Sequence, residues 1–462
     1  MHLRNLSIFS LLTCSFAGLG AQAPPATPTA PPTPGGAGAR PAAAPATVIA
    51  GIPVNYDEAK VGTYTLPDAL KFADGKPVRT AKDWAKRRPE IVKLFETQQY
   101  GIAPGRPADE SFEVTDKGTP ALNGKAIRKQ VTIHLSSKDK GDPTWPAIHL
   151  VEYIPANAKK PVPMYFDINF GAVQAAVDDP GITPQKVRDL KTNKLVDPPP
   201  ATPGRGFGRV NVEVFLDAGI GVATFNYAEL DPDTLTGFAE GIRAKYMKPG
   251  QTGEDDRAPD AWGTISAWAW GMSRVEDYFE TDKQVDARRV AIHGVSRLGK
   301  TVMWAGAHDE RFAAVIASCS GEGGAALSRR DYGETIAHLM APSRYPYQFA
   351  ANYAKYGGFP DTAPMDANLL VALIAPRPLL LQTGSTDNWS DPKGEFLAAV
   401  AAGPVYKLLG KQDLGTDVWP AAKVPLFSNG LNYYMHDGGH GMVPTDYDIY
   451  VQFLKAQFHP EQ

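Results

Sequence analysis

The stretch from Val290 to Lys300 constrains the fold of this chain more than any other part of its sequence. A largely apolar run, Val290–His293, ends at Gly294, and Ser296 follows one residue later. Beyond the serine, apolar residues return with helical spacing at Leu298, Val302 and Trp304. A strand that turns sharply into a helix lifts a serine at its apex clear of the sheet. The stretch therefore predicts a strand, a tight turn carrying Ser296, and a helix.

Strand-like and helix-like patterns alternate through much of the remaining chain. Short apolar runs typical of strands occur at 112–114, 127–135, 147–154, 162–170, 218–227, 288–296, 312–319 and 377–383. Helical spacing occurs at 81–100, 264–280, 298–307, 394–409 and 446–458. Two loop-rich stretches, 178–208 and 229–260, interrupt this pattern as insertions. The order predicts an α/β protein, a three-layer αβα sandwich with a mostly parallel central sheet and loop insertions in one domain.

The first residues resemble an export signal. Residues 1–23 combine a basic start at Arg4, an apolar middle and a small-x-small site at Ala21–Ala23, which predicts a signal peptide. Residues 24–47 are almost entirely Pro, Ala, Gly and Thr, which predicts a linker. We therefore expect a catalytic domain at 48–462 in a secreted or periplasmic protein. Its mature form is predicted to have no membrane segment.

Composition narrows the partners and the stabilising chemistry. The 462 residues carry a formal net charge of -3, which argues against a nucleic-acid partner because phosphate binding favours a basic face. The two cysteines are Cys14, in the predicted signal peptide, and Cys319. The mature chain would then have no intramolecular disulfide, and its stability must come from an apolar core.

A nucleophilic serine needs a base and a third group that orients the base. In the α/β-hydrolase fold, these residues follow one another as serine, acid and histidine. Asp387 comes shortly after the apolar run Pro378–Leu381, and His440 lies in a glycine-rich loop before the last helical pattern. The order Ser296, Asp387, His440 therefore predicts a serine hydrolase on an α/β-hydrolase fold.

Several neighbouring residues compete for these roles. Glu322 and Asp391 are alternative acids, and His436 is an alternative base. His436 and His440 also have the i, i+4 spacing of a metal pair, but Gly438 and Gly439 between them argue against the helix that such a pair needs. His293 lies inside the predicted strand, where a hydrogen-bonded core histidine is the simpler interpretation.

The developing negative charge of the transition state needs hydrogen-bond donors. Arg297, directly after the serine, offers its backbone N–H and a permanently charged guanidinium. A second candidate is Asn169-Phe170-Gly171, at the end of an early strand, although an ordinary turn is the simpler interpretation of this tripeptide.

The stretch G-V-S-R-L-G-K at 294–300 resembles the G-x-S-R-x-G-K signature of the glucuronoyl esterases, carbohydrate esterase family 15. Further similarity lies at 54–59, 87–91, 166–171, 321–330, 333–335 and 387–389, and the match is closer to bacterial members. The resemblance implies a metal-free serine esterase, and we predict no cofactor. Its expected substrate is the ester between (4-O-methyl-)glucuronic acid of glucuronoxylan and an alcohol of lignin.

The same resemblance implies roles for individual residues. Ser296 would be the nucleophile, His440 the base, and Arg297 the group that stabilises the oxyanion. Lys300, Glu334 and Trp389 would contact the hydroxyls of the uronate. Many family members carry their acid at the place where this chain has Cys319, and a thiol cannot take that role. Some bacterial members carry it in a later D-x-W segment, which corresponds to Asp387.

Other functions remain possible at this point. An acetyl-xylan or cephalosporin-type deacetylase on the same fold would not need Lys300, Glu334 and Trp389 arranged for a sugar ring. A non-catalytic carbohydrate-binding protein would not need a serine, an acid and a histidine in order. A peptidase is a further alternative, although no propeller-like repeat precedes the domain. We expect the protein to be a monomer.

Overall fold

The computed structural model describes residues 47–138, 145–189, 192, 194–197 and 208–459. The predicted signal peptide, the linker apart from Thr47, and part of the 178–208 insertion lie outside the described residues, so these assignments stay predictions. Within the described ranges, we find no helix whose length and hydropathy would let it span a bilayer.

One large mixed sheet is the scaffold of the described chain. Its strands are β1 (Ser111–Ala121), β2 (Ala126–His134), β3 (Ala147–Pro155), β4 (Val162–Asn169), β5 (Gly221–Asn226), β6 (Val285–Val295), β7 (Ala314–Ser318), β8 (Leu379–Gly384) and β9 (Leu431–His436). Their spatial order is β1-β2-β3-β5-β4-β6-β7-β8-β9. Pairing is antiparallel from β1 to β5 across this order and parallel from β5 to β9.

Within the described ranges, six helices of eight or more residues cover the sheet. They are α1 (Ala81–Gln98), α2 (Thr264–Phe279), α3 (Arg297–His308), α4 (Ala367–Ile374), α5 (Pro392–Leu408) and α6 (Asp446–Phe458). Shorter helices span Val173–Ala176, Val212–Leu216, Ile242–Lys245 and Ile336–Met340. The described part of the chain also has two small antiparallel strand pairs apart from the sheet, Val48–Ile49 with Ile52–Pro53 and Val187–Arg188 with Leu195–Val196.

The parallel strands β4, β5, β7, β8 and β9 are buried on both faces, as expected where helices cover a parallel sheet on both sides. In β4, Met164 and Phe166 belong to one apolar cluster, which includes side chains of α1 to α5. Tyr165, which points to the opposite face, belongs to a second cluster, which includes side chains of α6. The predicted three-layer αβα sandwich is therefore confirmed.

Several element boundaries differ from the sequence predictions. The strand expected at 112–114 extends over Ser111–Ala121 because a long antiparallel pairing with β2 continues into polar residues. The helix α4 was not predicted, because its near-continuous apolar sequence lacks an amphipathic stripe. The 229–260 insertion contains the short helix Ile242–Lys245, which is fixed by a buried ion pair between Arg243 and Asp231.

Helix α2 buries a carboxyl group whose titration should make stability depend on pH. Glu276 is 0% exposed, and neither of its carboxylate oxygens has a hydrogen-bond partner. Burial, opposed by Arg311 and reinforced by nearby carboxylates, raises its pKa from 4.5 to about 8. Between these two values the folded state holds a proton that the unfolded chain releases, so the free energy of unfolding falls as pH rises.

We therefore expect the Tm to be higher near about pH 5.5 than near about pH 8.5. Glu276→Gln should make this decrease smaller, as measured by calorimetry at both pH values. Glu113→Gln is the control, because Glu113 lies on β1 with its side chain 65% exposed and is not among the groups that shift the pKa of Glu276. A decrease of wild-type size in Glu276→Gln would contradict the prediction.

Candidate active site

Ser296 sits at the apex of the turn between β6 and α3. Its backbone has φ 60° and ψ -125°, a conformation that L-residues rarely adopt. Its N–H donates to the carbonyl of Ser318 at 2.8 Å, and its own carbonyl accepts from the Lys300 N–H at 3.0 Å. This is the strained strand-turn-helix geometry expected of a nucleophile elbow.

Two glycines make the turn possible. A Cβ on Gly294 would lie 2.4 Å from the carbonyl oxygen of Leu298, and a Cβ on Gly299 would lie 2.8 Å from that of Ser318. The usual place of the second glycine, two residues after the serine, is occupied by the buried Leu298. Close approach between α3 and the end of β7 therefore accounts for the glycine at 299.

The structure brings Asp387 and His440 together. Asp387 follows β8, His440 follows β9, and His440 Nδ1 lies 2.7 Å from Asp387 Oδ2. Burial opposes ionisation of Asp387, but hydrogen bonds from His440 and Ser390 outweigh it and lower the pKa of the carboxyl group. The carboxylate is therefore charged and holds the imidazole through one nitrogen.

Four adjacent parallel strands carry these residues to one edge of the sheet. Ser296 follows β6, Cys319 follows β7, and Asp387 and His440 follow β8 and β9. The last three have ligand-type atoms within 4.8 Å of one another. Burial raises the pKa of the Cys319 thiol well above its ordinary value, and Asp387 and His440 bond each other. This donor set favours hydrogen bonding over metal binding.

The competing acids and base have other partners. Glu322 accepts hydrogen bonds from Ser328 at 2.6 Å and Tyr353 at 2.9 Å, and burial raises its pKa to about 8. Asp391 caps α5 and bonds Arg330 at 2.8 Å. His436 contacts Asp446 and the carbonyl of Gly439, both at 2.9 Å, through its two ring nitrogens.

His293 and the tripeptide Asn169-Phe170-Gly171 lie on the neighbouring strands β6 and β4 or directly after them. His293 is a core histidine, as predicted, with Asp167 at 2.6 Å from Nδ1 and Ser318 at 3.2 Å from Nε2. In Asn169-Phe170-Gly171, the Gly171 N–H donates to the Asn169 side chain at 2.8 Å. The tripeptide thus forms an ordinary side-chain-stabilised turn, and this N–H is already used.

Arg297 is held on two sides. Its Nη1 donates to Asp233 Oδ2 at 2.5 Å, and its guanidinium lies 4.6 Å from the ring centroid of Tyr345. Burial alone would lower the pKa of Arg297, but the Asp233 carboxylate more than offsets this effect and raises it. The side chain is 25% exposed, so it keeps access to a ligand at the elbow.

Lys300, Glu334 and Trp389 lie in one cluster beside the elbow. Lys300 Nζ is 3.8 Å from Glu334 Oε2, and the Glu334 N–H donates to the Trp389 carbonyl at 2.8 Å. Burial lowers the pKa of Lys300, and Glu334 opposes this effect. The three predicted substrate contacts are therefore neighbours in space, although 89 positions separate Lys300 from Trp389 in the sequence.

Two residues that no sequence pattern had singled out, Arg344 and Tyr345, join this cluster to Arg297. Arg344 donates to Glu334 Oε1 at 2.7 Å and lies 5.2 Å from the Trp389 ring centroid. It also lies 4.8 Å from the Tyr345 ring, whose other cationic neighbour is Arg297. The adjacent cation and aromatic residue in R-Y-P-Y-Q, 344–348, were the only available signal.

Comparison with known proteins gives consistent results. The profile of the family described as "Glucuronyl esterase, fungi" matches residues 207–410. Carbohydrate esterase MZ0003, from an unknown prokaryotic organism, is 42% identical over 405 residues, covering 86% of this chain and 91% of that protein. The solved glucuronoyl esterase from Solibacter usitatus is 43% identical with a TM-score of 0.81, covering 87% of this chain and 100% of that one.

A second solved structure, a promiscuous carbohydrate esterase family 15 enzyme from the marine bacterial metagenome, is 40% identical. It has a TM-score of 0.78, and the match covers 88% of this chain and 100% of that one. These matches confirm the resemblance seen in the sequence. The chain belongs to carbohydrate esterase family 15, the glucuronoyl esterases.

Proposed function

We propose that this protein is a serine esterase that hydrolyses esters of glucuronic acid and its 4-O-methyl derivative. The observation that carries the proposal is the Lys300–Glu334 pair, which is buried one helical turn from a strained serine. Such a pair suits a substrate with several hydroxyls beside the scissile carbonyl. The kinship with glucuronoyl esterases supports the same substrate class.

In the first half-reaction, His440 takes the proton of Ser296 as the serine oxygen attacks the ester carbonyl. The oxyanion of the tetrahedral intermediate accepts hydrogen bonds from the Arg297 N–H and guanidinium. Collapse of the intermediate breaks the bond to the alcohol oxygen, which receives the proton from His440. An acyl-enzyme on Ser296 remains, and Asp387 stabilises the transient imidazolium throughout.

In the second half-reaction, water replaces the alcohol. His440 removes a proton from the water as its oxygen attacks the acyl carbon, and Arg297 stabilises the second oxyanion. Collapse returns the proton to the Ser296 oxygen and releases the free uronic acid. The chain's own side chains supply every proton transfer in this scheme.

Recognition of the sugar is assigned to the cluster beside the elbow. The ammonium of Lys300 donates to hydroxyls, the carboxylate of Glu334 accepts from them, and Trp389 offers an indole face and an N–H. Because Lys300 and Glu334 are buried, each loses less to competition with water than an exposed group would. A small acetyl ester would leave these groups without partners.

The natural setting follows from the same proposal. The acid would come from glucuronoxylan and the alcohol from lignin, so the substrate is a lignin–carbohydrate ester. Such polymers lie outside cells, which agrees with the export signal predicted at 1–23. We propose a secreted or periplasmic monomer that works without a metal or a cofactor.

One substrate panel tests the proposal. We expect methyl and benzyl glucuronate to be hydrolysed with a kcat/KM at least about tenfold above that for methyl galacturonate, whose C4 hydroxyl is inverted. Acetylated xylan should be a poor substrate by comparison. Product acid is measured by chromatography, with heat-inactivated enzyme as a blank. Activity on acetylated xylan alone would make a deacetylase the correct function.

A further inference from the structure

Asp233 is a buried carboxylate saturated with hydrogen bonds. Its Oδ2 accepts from Tyr227 at 2.9 Å and Arg297 at 2.5 Å, and its Oδ1 accepts from Tyr347 at 2.8 Å and Gln348 at 2.7 Å. The Asp233 side chain is only 2% exposed. Three uncharged donors therefore fix the carboxylate before it meets the guanidinium.

This arrangement has the form of a support for the oxyanion arginine. A long arginine side chain that is 25% exposed would otherwise sample several rotamers. Asp233 uses the Nη1 end of the guanidinium, and Tyr345 covers one of its faces at 4.6 Å. The rest of the guanidinium is then held in a single orientation beside Ser296. The arginine therefore does not have to change its conformation when the oxyanion forms.

We propose that Asp233 is a positioning residue for catalysis, which acts by holding the Arg297 guanidinium where the oxyanion forms. Asp233 lies in the 229–260 insertion, and two of its donors lie at 347–348. These two loop segments therefore contribute to catalysis through the position of Arg297. The inference rests on the proposed function in one respect, namely that Arg297 stabilises an ester-derived oxyanion.

Two effects of Asp233 oppose each other. Its negative charge weakens the field of Arg297 at the oxyanion, whereas its hydrogen bond fixes the arginine in place. Arg297 keeps N–H donors on its other guanidinium nitrogens. A hydrogen bond weakens steeply when its donor moves out of line with the acceptor, so a misplaced guanidinium would stabilise the oxyanion very little. We therefore expect positioning to outweigh the charge effect.

A double-mutant cycle tests the role of Asp233. The variants are Asp233→Asn, Arg297→Ala and their combination, each assayed on methyl glucuronate and on p-nitrophenyl acetate. Asp233→Asn should lower kcat by about 10-fold to 100-fold while KM stays within about threefold of wild type. In the Arg297→Ala background, the same change should alter kcat by less than about threefold. Asp116→Asn, which breaks another Asp–Arg pair at Arg128, is the remote control and should leave kcat unchanged.

Three results would overturn the inference. They are an equal loss of kcat in both Arg297 backgrounds, a rise in KM alone, and a faster reaction in Asp233→Asn. If Asp233→Asn does not fold, Asp233→Glu takes its place in the same cycle, because it keeps the charge but shifts the carboxylate by one methylene. Coupling seen on p-nitrophenyl acetate with no wild-type activity on glucuronate would refute the proposed function and leave this inference standing.

Discussion

Ser296→Ala should lower kcat on glucuronate esters by about 10⁵-fold or more, the largest effect of any single change in this protein. The hydroxyl oxygen is the atom that forms the acyl-enzyme, and among the described residues Ser296 is the one hydroxyl-bearing residue with a positive φ. Binding should survive, because Lys300 and Glu334 are untouched. Isothermal titration calorimetry of the variant with methyl glucuronate measures that binding.

The same variant identifies the nucleophile directly. Wild-type protein should react once with a fluorophosphonate probe, and peptide mass spectrometry should place the adduct on Ser296. Ser428→Ala is the matched control, since its hydroxyl lies at the far end of β9, where it contacts the carbonyls of Leu431 and Gln412 and accepts from the Gly430 N–H. Full labelling of Ser296→Ala would locate the nucleophile elsewhere in the chain.

Local sequence patterns predicted the parts of the site that each strand carries to the edge of the sheet. The elbow could be predicted because an apolar strand, a glycine and a serine follow one another within a few residues. Asp387 and His440 could be predicted because each comes soon after a strand in a known chain order. A residue that directly follows a strand lies at the edge of the sheet where that strand ends. The sequence next to the residue is therefore enough to predict its place.

The residues that hold the site side chains in place could not be predicted in this way. Asp233 and Arg344 lie in irregular segments, where no periodicity shows which side chains turn inward. Their roles depend on contacts with Arg297 and Glu334, which join chain segments that no local pattern relates. The same reason explains why Glu322 remained an alternative acid, because its bonds to Ser328 and Tyr353 appear only in three dimensions.

The choice between the two acids leads to the second large expected effect. Asp387→Asn should lower kcat by about 10³-fold to 10⁴-fold, because an amide stabilises the wrong tautomer of His440 and cannot compensate the imidazolium. The pKa of Asp387 is lowered, so its carboxylate stays charged well into the acidic range. We therefore expect that protonation of Asp387 does not reduce wild-type activity at any pH above the ordinary pKa of an aspartate.

Glu322→Gln is the matched comparison, because it makes the same chemical change on a buried acid whose partners are Ser328 and Tyr353. It should change kcat by less than about threefold, since the hydrogen bonds of Glu322 go to two hydroxyls that take no part in the proposed proton transfers. Steady-state kinetics on methyl glucuronate, with melting temperatures for both variants, give the comparison. A thousandfold loss in Glu322→Gln with near-normal Asp387→Asn would move the acid to the other loop. In that case the 2.7 Å contact between Asp387 and His440 would only stabilise the fold.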